Sequence, residues 1–408
     1  MDTKIAIIGF GTVGSGVAEV FYKNRPAIER KAGARLDVKY IVDIKSLEGT
    51  PYAEKWTKDF QQVVDDPEVG VVVETIGGVM PAYDFSKRAL RAGKHVVTSN
   101  KELVATHGAE LLRIAEEHNV NYLFEASVGG GIPLIHPLYQ CLGAGDITEV
   151  AGILNGTTNF IMTRMFEDQM SFEEALKLAQ KNGYAEANPA ADVEGKDACR
   201  KICILSSIVY GKHVYPDEVH TEGITKITLN DVQAASAAGY AVRLIGRVKK
   251  EKSGLIAMVS PALVAKSSQL GNVSDVFNAV LVRGSDLGDV LFYGRGAGKS
   301  PTASAVLSDV VDAVREGGHI PTLGWEDANH DTIGDYLDDV TGVMVRVPAR
   351  DAKAAGELFG AKRMVSPAPE GEAAFLTGML SGRMVQELCA KAGKAGIEVL
   401  SALRVLDY

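Results

Sequence analysis

In the first third of the chain, apolar residues gather in short β-branched runs at 4–8, 36–42, 69–74, 95–98 and 120–124. Between them lie stretches with apolar positions at helical spacing, 13–30, 56–64, 83–92 and 102–118, several closed by Gly or Asn. That alternation predicts an α/β domain, a parallel sheet doubly wound with helices. From about residue 132 the rhythm changes. Longer strand-like segments at 148–154, 243–249, 256–264 and 278–283 alternate with helices, which predicts an α+β domain with a mixed or antiparallel sheet. One helix there is clearly punctuated: Ser171 stands three residues before Glu174 as a capping box, and Gly183 follows Phe172, Leu176 and Ala179. A further helix is predicted over 300–316, then a polar linker over 317–338. The last segment reads strand 343–347, an Ala/Leu helix, strands 363–366 and 373–377, helix 383–392 and strand 399–405. That βαββαβ order describes a small ferredoxin-like module. The expected boundaries are 1–133, 134–320 and 340–408, with the 300–316 helix returning to the first domain.

A chain of 408 residues exceeds one ordinary core and is long enough to bury apolar surface without staples. The net charge of −9 disfavours a broad basic face for nucleic acid or an anionic membrane, leaving small molecules as the expected partners. No apolar run approaches a membrane span, and the first residues lead straight into a strand pattern without a secretory leader. Cys141, Cys199, Cys203 and Cys389 form no Cys-x-x-Cys or Cys/His cluster. Cys199 and Cys203, one helical turn apart, read as a packed or loosely polar helix face. A reducing, cytoplasmic setting is expected.

Gly9-Phe10-Gly11-Thr12-Val13-Gly14 is G-x-G-x-x-G directly after the first strand and before a helix, the Rossmann arrangement. The first glycine permits the tight turn, the second lets backbone approach a pyrophosphate, and the third allows close helix packing. The helix start then offers free N–H groups to phosphates. Asp43 ends the second strand, where a carboxylate can bond the ribose hydroxyls of NAD and repel the 2′-phosphate of NADP; Lys45 can do the reverse, so preference stays open. Thr75-Ile76-Gly77-Gly78 and Thr98-Ser99-Asn100-Lys101 also leave carboxyl ends of strands, where ligands bind in open α/β sheets. Thr75, Ile76, Gly77, Ser99 and Lys101 are therefore candidates for the nicotinamide half, against a plain solvated lysine at 101.

Asp197 and Lys201 are four apart and share a helix face, acid first. Ala198, Ile202, Leu205 and Val209 form an adjacent apolar stripe that pins that face to a core. A partly desolvated lysine beside a carboxylate can hold a proton near a substrate and release it during reaction. The bland alternative is a surface ion pair, which contributes little.

Five runs together resemble the homoserine dehydrogenase family. They are Thr98-Ser99-Asn100-Lys101; Glu125-Ala126-Ser127-Val128-Gly129-Gly130-Gly131-Ile132-Pro133; Ile153-Leu154-Asn155-Gly156-Thr157-Thr158-Asn159; Gly183-Tyr184-Ala185-Glu186-Ala187-Asn188-Pro189; and Asp192-Val193-Glu194-Gly195-Lys196-Asp197-Ala198-Cys199-Arg200-Lys201. The resemblance covers about residues 1–320 and implies NAD(P)-dependent interconversion of L-aspartate 4-semialdehyde and L-homoserine. It implies that Lys201 gives a proton to the carbonyl oxygen as hydride arrives and that Lys101 contacts cofactor and substrate. Glu186 and Asp197 would hold the substrate's polar groups, and Gly183 would bring backbone close to it. Hydride addition builds an alkoxide, which a cationic donor stabilises where water is excluded. By the same resemblance, Glu125 with the carbonyls of Val128, Gly130 and Ile132 makes a monovalent cation (Na+) site, a set of hard oxygens unlike a zinc site; a structural turn is the alternative. Arg295-Gly296-Ala297-Gly298 resembles the family's return to the cofactor domain, with Gly298 close to the nicotinamide. A homodimer through the middle domain's sheet is the implied assembly.

In domain order the terminal module resembles ACT-type amino-acid-binding domains. The usual Asp-x-Pro-Gly turn is replaced by Ala349-Arg350-Asp351-Ala352-Lys353-Ala354, so an assembly domain, an effector site of altered specificity and a relic all remain open. Two other readings compete for the whole chain. One is a different Rossmann-type dehydrogenase acting on a related amino acid or semialdehyde; its phosphorylating semialdehyde form needs a nucleophilic cysteine, and all four cysteines fall in helix patterns. A catalytically silent NAD-binding regulator has no use for Lys101, Glu186, Asp197 and Lys201 together.

Overall fold

Strand-forming runs and helices alternate from the start of the computed structural model, which describes residues 2–142, 145–252, 254–315, 325–328 and 330–408. In order come β1 (Asp2–Ile8), α1 (Thr12–Ala32), β2 (Arg35–Val42), β3 (Trp56–Thr57), α2 (Gln61–Asp65), β4 (Val69–Glu74), α3 (Ala82–Arg91), β5 (His95–Thr98), α4 (Lys101–Glu117), β6 (Tyr122–Leu123) and α5 (Ile135–Gln140). The strands run parallel in the order β3-β2-β1-β4-β5-β6, which places the carboxyl ends of β1 and β4 side by side at the reversal of strand order. β4 is mostly valine and β5 centres on Val96-Val97, as suits a parallel sheet covered on both faces. One expected element is half wrong. Residues 56–64 were to be a helix, but Trp56 and Thr57 pair with Ile41 and Val42, and the helix spans only Gln61–Asp65. Sheet pairing at the edge overrides the helical period there.

The chain then forms β7 (Ile147–Ile153), α6 (Gly156–Glu167), α7 (Phe172–Lys181), α8 (Ala190–Val193), α9 (Lys196–Tyr210), β8 (His220–Thr221), α10 (Leu229–Ala238), β9 (Tyr240–Glu251), β10 (Gly254–Ala265), β11 (Phe277–Gly284) and β12 (Gly288–Arg295). β7, β9, β10 and β11 pair antiparallel, giving the mixed sheet the strand lengths predicted. The Ser171/Glu174 capping box is formed in both directions. β12 was not anticipated. Its run Asp289-Val290-Leu291-Phe292-Tyr293 is apolar on both sides of the pleat, so it carries no alternation, and it closes the end of the sheet beside β11.

Next, α11 (Lys299–Val314) lays Ala303, Val306, Leu307 and Val310 into the core formed by Ile5, Ile7, Val17, Phe21 and Val71. Position 316 of its predicted span and part of the expected linker, 317–324 and 329, lie outside the described residues. The terminal segment gives β13 (Val340–Pro348), α12 (Ala352–Phe359), β14 (Arg363–Met364), β15 (Glu372–Leu376), β16 (Leu380–Ser381), α13 (Gly382–Lys394) and β17 (Ser401–Leu406). Its strands follow the order β17-β13-β15-β14, and β17 pairs parallel with β10, so this segment continues the sheet of β7 and β9 while keeping a cluster of its own around Val345, Phe359, Phe375 and Leu388.

By contact the chain divides into two units. One comprises 1–145, 203–216 and 294–331; the other comprises 146–202, 217–293 and 332–408.

Candidate active site

In the first unit the glycine turn has the shape its sequence promised. Gly9 is left-handed at φ 86°, and a side chain there would meet Thr75 and Ile76 at 3.0 Å. Gly11 caps α1, and a Cβ on it would meet no protein atom within 4 Å. A Cβ on Gly14 would lie 2.0 Å from the Gly9 carbonyl oxygen, so only glycine lets Thr12, Val13 and the rest of the first turn seat against the strand end. Asp43 braces the turn: its Oδ2 accepts from the Phe10 amide at 2.6 Å and its Oδ1 from the Lys45 amide at 2.8 Å. Thr75 fastens the next loop by donating to the Gly9 carbonyl at 2.7 Å. Ile76 and Gly77 follow it, and Asn100 caps α4 by accepting from Leu103 N at 3.1 Å while its amide reaches Gly78 O at 2.6 Å. Ser99 and Lys101 flank that cap, both partly exposed. Gly298 caps α11 with φ 131°. These features fit a dinucleotide: open space over Gly11, helix amides, and an acid at the end of β2.

Glu125 is buried, and its carboxylate accepts from the amides of Leu134, Ile135 and His136 at 2.6, 3.0 and 2.7 Å. It therefore caps α5. The intervening turn holds Val128, left-handed Gly129 and Gly130, and Ile132, whose amide bonds Gly129 O at 2.9 Å. His136 also faces Asp309 at 3.2 Å and Asp312 at 3.3 Å. Burial pushes the Asp309 carboxyl up to about 6, against the opposing pull of His136.

In the second unit, α9 brings Asp197 and Lys201 onto one buried face, 4% and 7% exposed, so they are no surface pair. Lys201 Nζ donates to Asp197 Oδ2 at 2.7 Å and to the Leu154 carbonyl at 2.6 Å. Of the predicted stripe, Ala198, Ile202 and Leu205 are buried alongside, while Val209 is half-buried. Asn155 joins the group: Nδ2 donates to Asp197 Oδ2 at 2.8 Å and to Asp192 Oδ1 at 2.7 Å, while its Oδ1 caps α6 through Thr158 N at 2.8 Å. Burial and the charge of Asp197 raise the Asp192 carboxyl above its ordinary range, with Asn155 and Lys201 pulling the other way. Thr157 donates to Tyr184 O at 2.6 Å, which fixes the loop of left-handed Gly183 and Glu186 to the first turn of α6. Glu186 is exposed on that loop.

A family model for homoserine dehydrogenase matches residues 133–311, and one for the homoserine dehydrogenase NAD-binding domain matches 9–125. A homoserine dehydrogenase of Synechocystis sp. is 43% identical over 324 residues, 77% of this chain and 74% of that protein. The chain belongs to the homoserine dehydrogenase family. The solved homoserine dehydrogenase of Thiobacillus denitrificans is similar throughout, with 35% identity, a TM-score of 0.92 and coverage of 100% of this chain and 99% of that one. A hyperthermophilic archaeal homoserine dehydrogenase mutant in complex with NADPH shares 29% identity and a TM-score of 0.68 over 79% of this chain and 100% of its own.

The reaction is accordingly the NAD(P)-dependent interconversion of L-aspartate 4-semialdehyde and L-homoserine, a step of amino-acid biosynthesis. Two members of the hydrogen-bonded group around Lys201 are not predicted by the sequence of this homoserine dehydrogenase. Asp192 and Asn155 lay inside quoted runs, and Asn155-Gly-Thr-Thr carries a helix-cap signal, but the bridge from Asn155 to two acids 37 and 42 residues away leaves no local trace. Among the described residues no helix is long and apolar enough to cross a membrane.

Proposed function

We propose that Lys201 is the proton donor and acceptor at the substrate oxygen in this homoserine dehydrogenase. The observation that carries the reading is its burial on α9 with the amine directed by Asp197 and the Leu154 carbonyl. A cation fixed in a site poor in water stabilises a developing alkoxide far better than one in bulk solvent. Bound NAD(P) supplies the hydride. Lys101, first in α4, contacts cofactor and substrate and polarises the same oxygen. Glu186 and Asp197 hold the substrate's amino-acid groups, with Gly183 giving close backbone approach. Gly9 to Gly14 hold the pyrophosphate, Asp43 the ribose, and Thr75 to Gly77, Ser99 and Gly298 the nicotinamide end.

We further read residues 1–133 with the α11 helix as the nucleotide domain, 134–320 as the substrate and dimer domain, and 340–408 as an ACT-like module. Leu291 and Tyr293 stand 38% and 54% exposed on the end strand β12, which suits a homodimer through that sheet. The Glu125 turn offers hard oxygens for a monovalent cation, although three amides already occupy its carboxylate, so any ion shares Glu125 with the cap of α5. Four free cysteines suit a cytoplasmic setting.

The test is initial rates of NADH and NADPH oxidation with aspartate semialdehyde. Lys201→Ala and Lys101→Ala are expected to lose most of kcat; Lys201→Ala turning over at the parent rate overturns the assignment.

A further inference from the structure

Glu74 is the last residue of β4 and is wholly enclosed, yet no step above uses it. Its Oε2 accepts from the Thr98 hydroxyl at 2.5 Å and its Oε1 from the Ile76 amide at 2.6 Å. Thr98 Oγ1 in turn accepts from the Asn100 amide at 2.9 Å, and the Asn100 side chain donates back to Ile76 O at 3.1 Å. The bonds close a ring: Glu74, Ile76, Asn100, Thr98, and Glu74 again. Its two arms are the loop 75–78 and the cap of α4, and the residue after that cap is Lys101. Enclosing a carboxylate is costly, a cost that an apolar residue at the end of β4 avoids. What the carboxylate alone supplies is two acceptors that fix both arms at once.

We propose that Glu74 is a positioning residue for hydride transfer, setting the loop 75–78 and the start of α4, Lys101 included, in one shared geometry. The proposal rests on the reading of those two arms as the nicotinamide border. Groups facing the carboxylate are Thr98 from β5, the Ile76 amide from its own loop, Asn100 from the α4 cap, and the phenol of Tyr122 from β6, which is buried with no hydrogen bond. Enclosure pushes the Glu74 carboxyl up to about 7, against the hydrogen-bonding groups of Thr98, Ile76 and Asn100 that pull it down. Protonation replaces an acceptor with a donor, so within the neutral range one bond of the ring must reverse, at Thr98, or break, at the Ile76 amide.

Glu74→Gln keeps the size but turns one acceptor into a donor facing Thr98 or the Ile76 amide. Displacing reacting groups by about an ångström costs up to roughly 100-fold. The expected result is a kcat with aspartate semialdehyde and NAD(P)H lower by about 10- to 100-fold, with KM for the semialdehyde within about threefold and the pH–rate limb near neutrality gone. Thr98→Ser, which keeps the hydroxyl, is expected to stay near parent kcat, whereas Thr98→Val falls with Glu74→Gln. This pair carries the test if Glu74→Gln does not fold. A folded Glu74→Gln with parent kcat and parent pH profile, or Thr98→Val equal to Thr98→Ser, overturns the proposal. Lys101→Ala separates the two failures: if it still loses kcat, only the role of Glu74 falls, and if it too is unaffected, the reading of the border falls with it.

Discussion

Lys201 donates to Asp197 Oδ2 at 2.7 Å from one turn further along the same helix, with both side chains buried. A buried ammonium whose counter-charge is removed costs about 3–5 kcal/mol, whereas an exposed pair of the same spacing contributes under about 1. Asp197→Asn is therefore expected to lower stability by several kcal/mol on that scale, read as a fall in the denaturant midpoint at constant slope. Lys201→Arg keeps the charge but not the transferable proton, and kcat is expected to fall about 10²-fold or more with KM for the dinucleotide unchanged. Steady-state kinetics with both substrates varied decide the matter.

Gly11 and Gly14 belong to one motif but should fail differently. A Cβ on Gly11 meets no protein atom, so Gly11→Ala should keep the melting temperature and weaken nucleotide binding. A Cβ on Gly14 sits 2.0 Å from a backbone oxygen, so Gly14→Ala should unseat the helix and cost on the order of 1–3 kcal/mol or more. Thermal melts beside NAD(P)H fluorescence titration distinguish them, and equal melting temperatures would sink this account of the turn.

Asp43 holds the Phe10 and Lys45 amides, and its carboxylate is the group proposed to meet the cofactor's ribose. Asp43→Ser removes a negative charge from the path of a 2′-phosphate. The ratio of kcat/KM for NADPH over NADH should rise by about tenfold, equivalent to about 1.4 kcal/mol. A ratio that does not move assigns Asp43 to bracing alone.

The Glu74 carboxyl stands at about 7, above its ordinary 4.5, because burial disfavours the charged form. A carboxyl raised on folding contributes stability below its unfolded value and loses it as the pH climbs through its folded value. The loss falls between about pH 4.5 and 7 and amounts to roughly 3 kcal/mol. Glu74→Gln, which does not titrate, should gain on the parent across that window. Urea midpoints for both proteins at pH 5 and pH 8 measure it; parallel changes would exclude Glu74 as the source.

Much of the molecule was legible residue by residue, because its signals are local. The valine runs of β4 and β5, the spacing of Gly9, Gly11 and Gly14, the capping box at Ser171, and the four-residue step from Asp197 to Lys201 each express the geometry of one strand, turn or helix. What the chain did not disclose depends on segments meeting from far apart. Asn155 bridges Asp192 and Asp197 only once α6, α8 and α9 are packed, and Glu125 caps α5 across a glycine turn. Trp56 becomes a strand residue only because Ile41 is there to pair with it, and β17 joins β10 across some 140 residues. Hydrogen-bond partners and burial are properties of the assembled neighbourhood. Periodicity fixes which face of an element is apolar, but the free energy of a buried carboxylate or amine is set by whichever groups the tertiary fold brings against it.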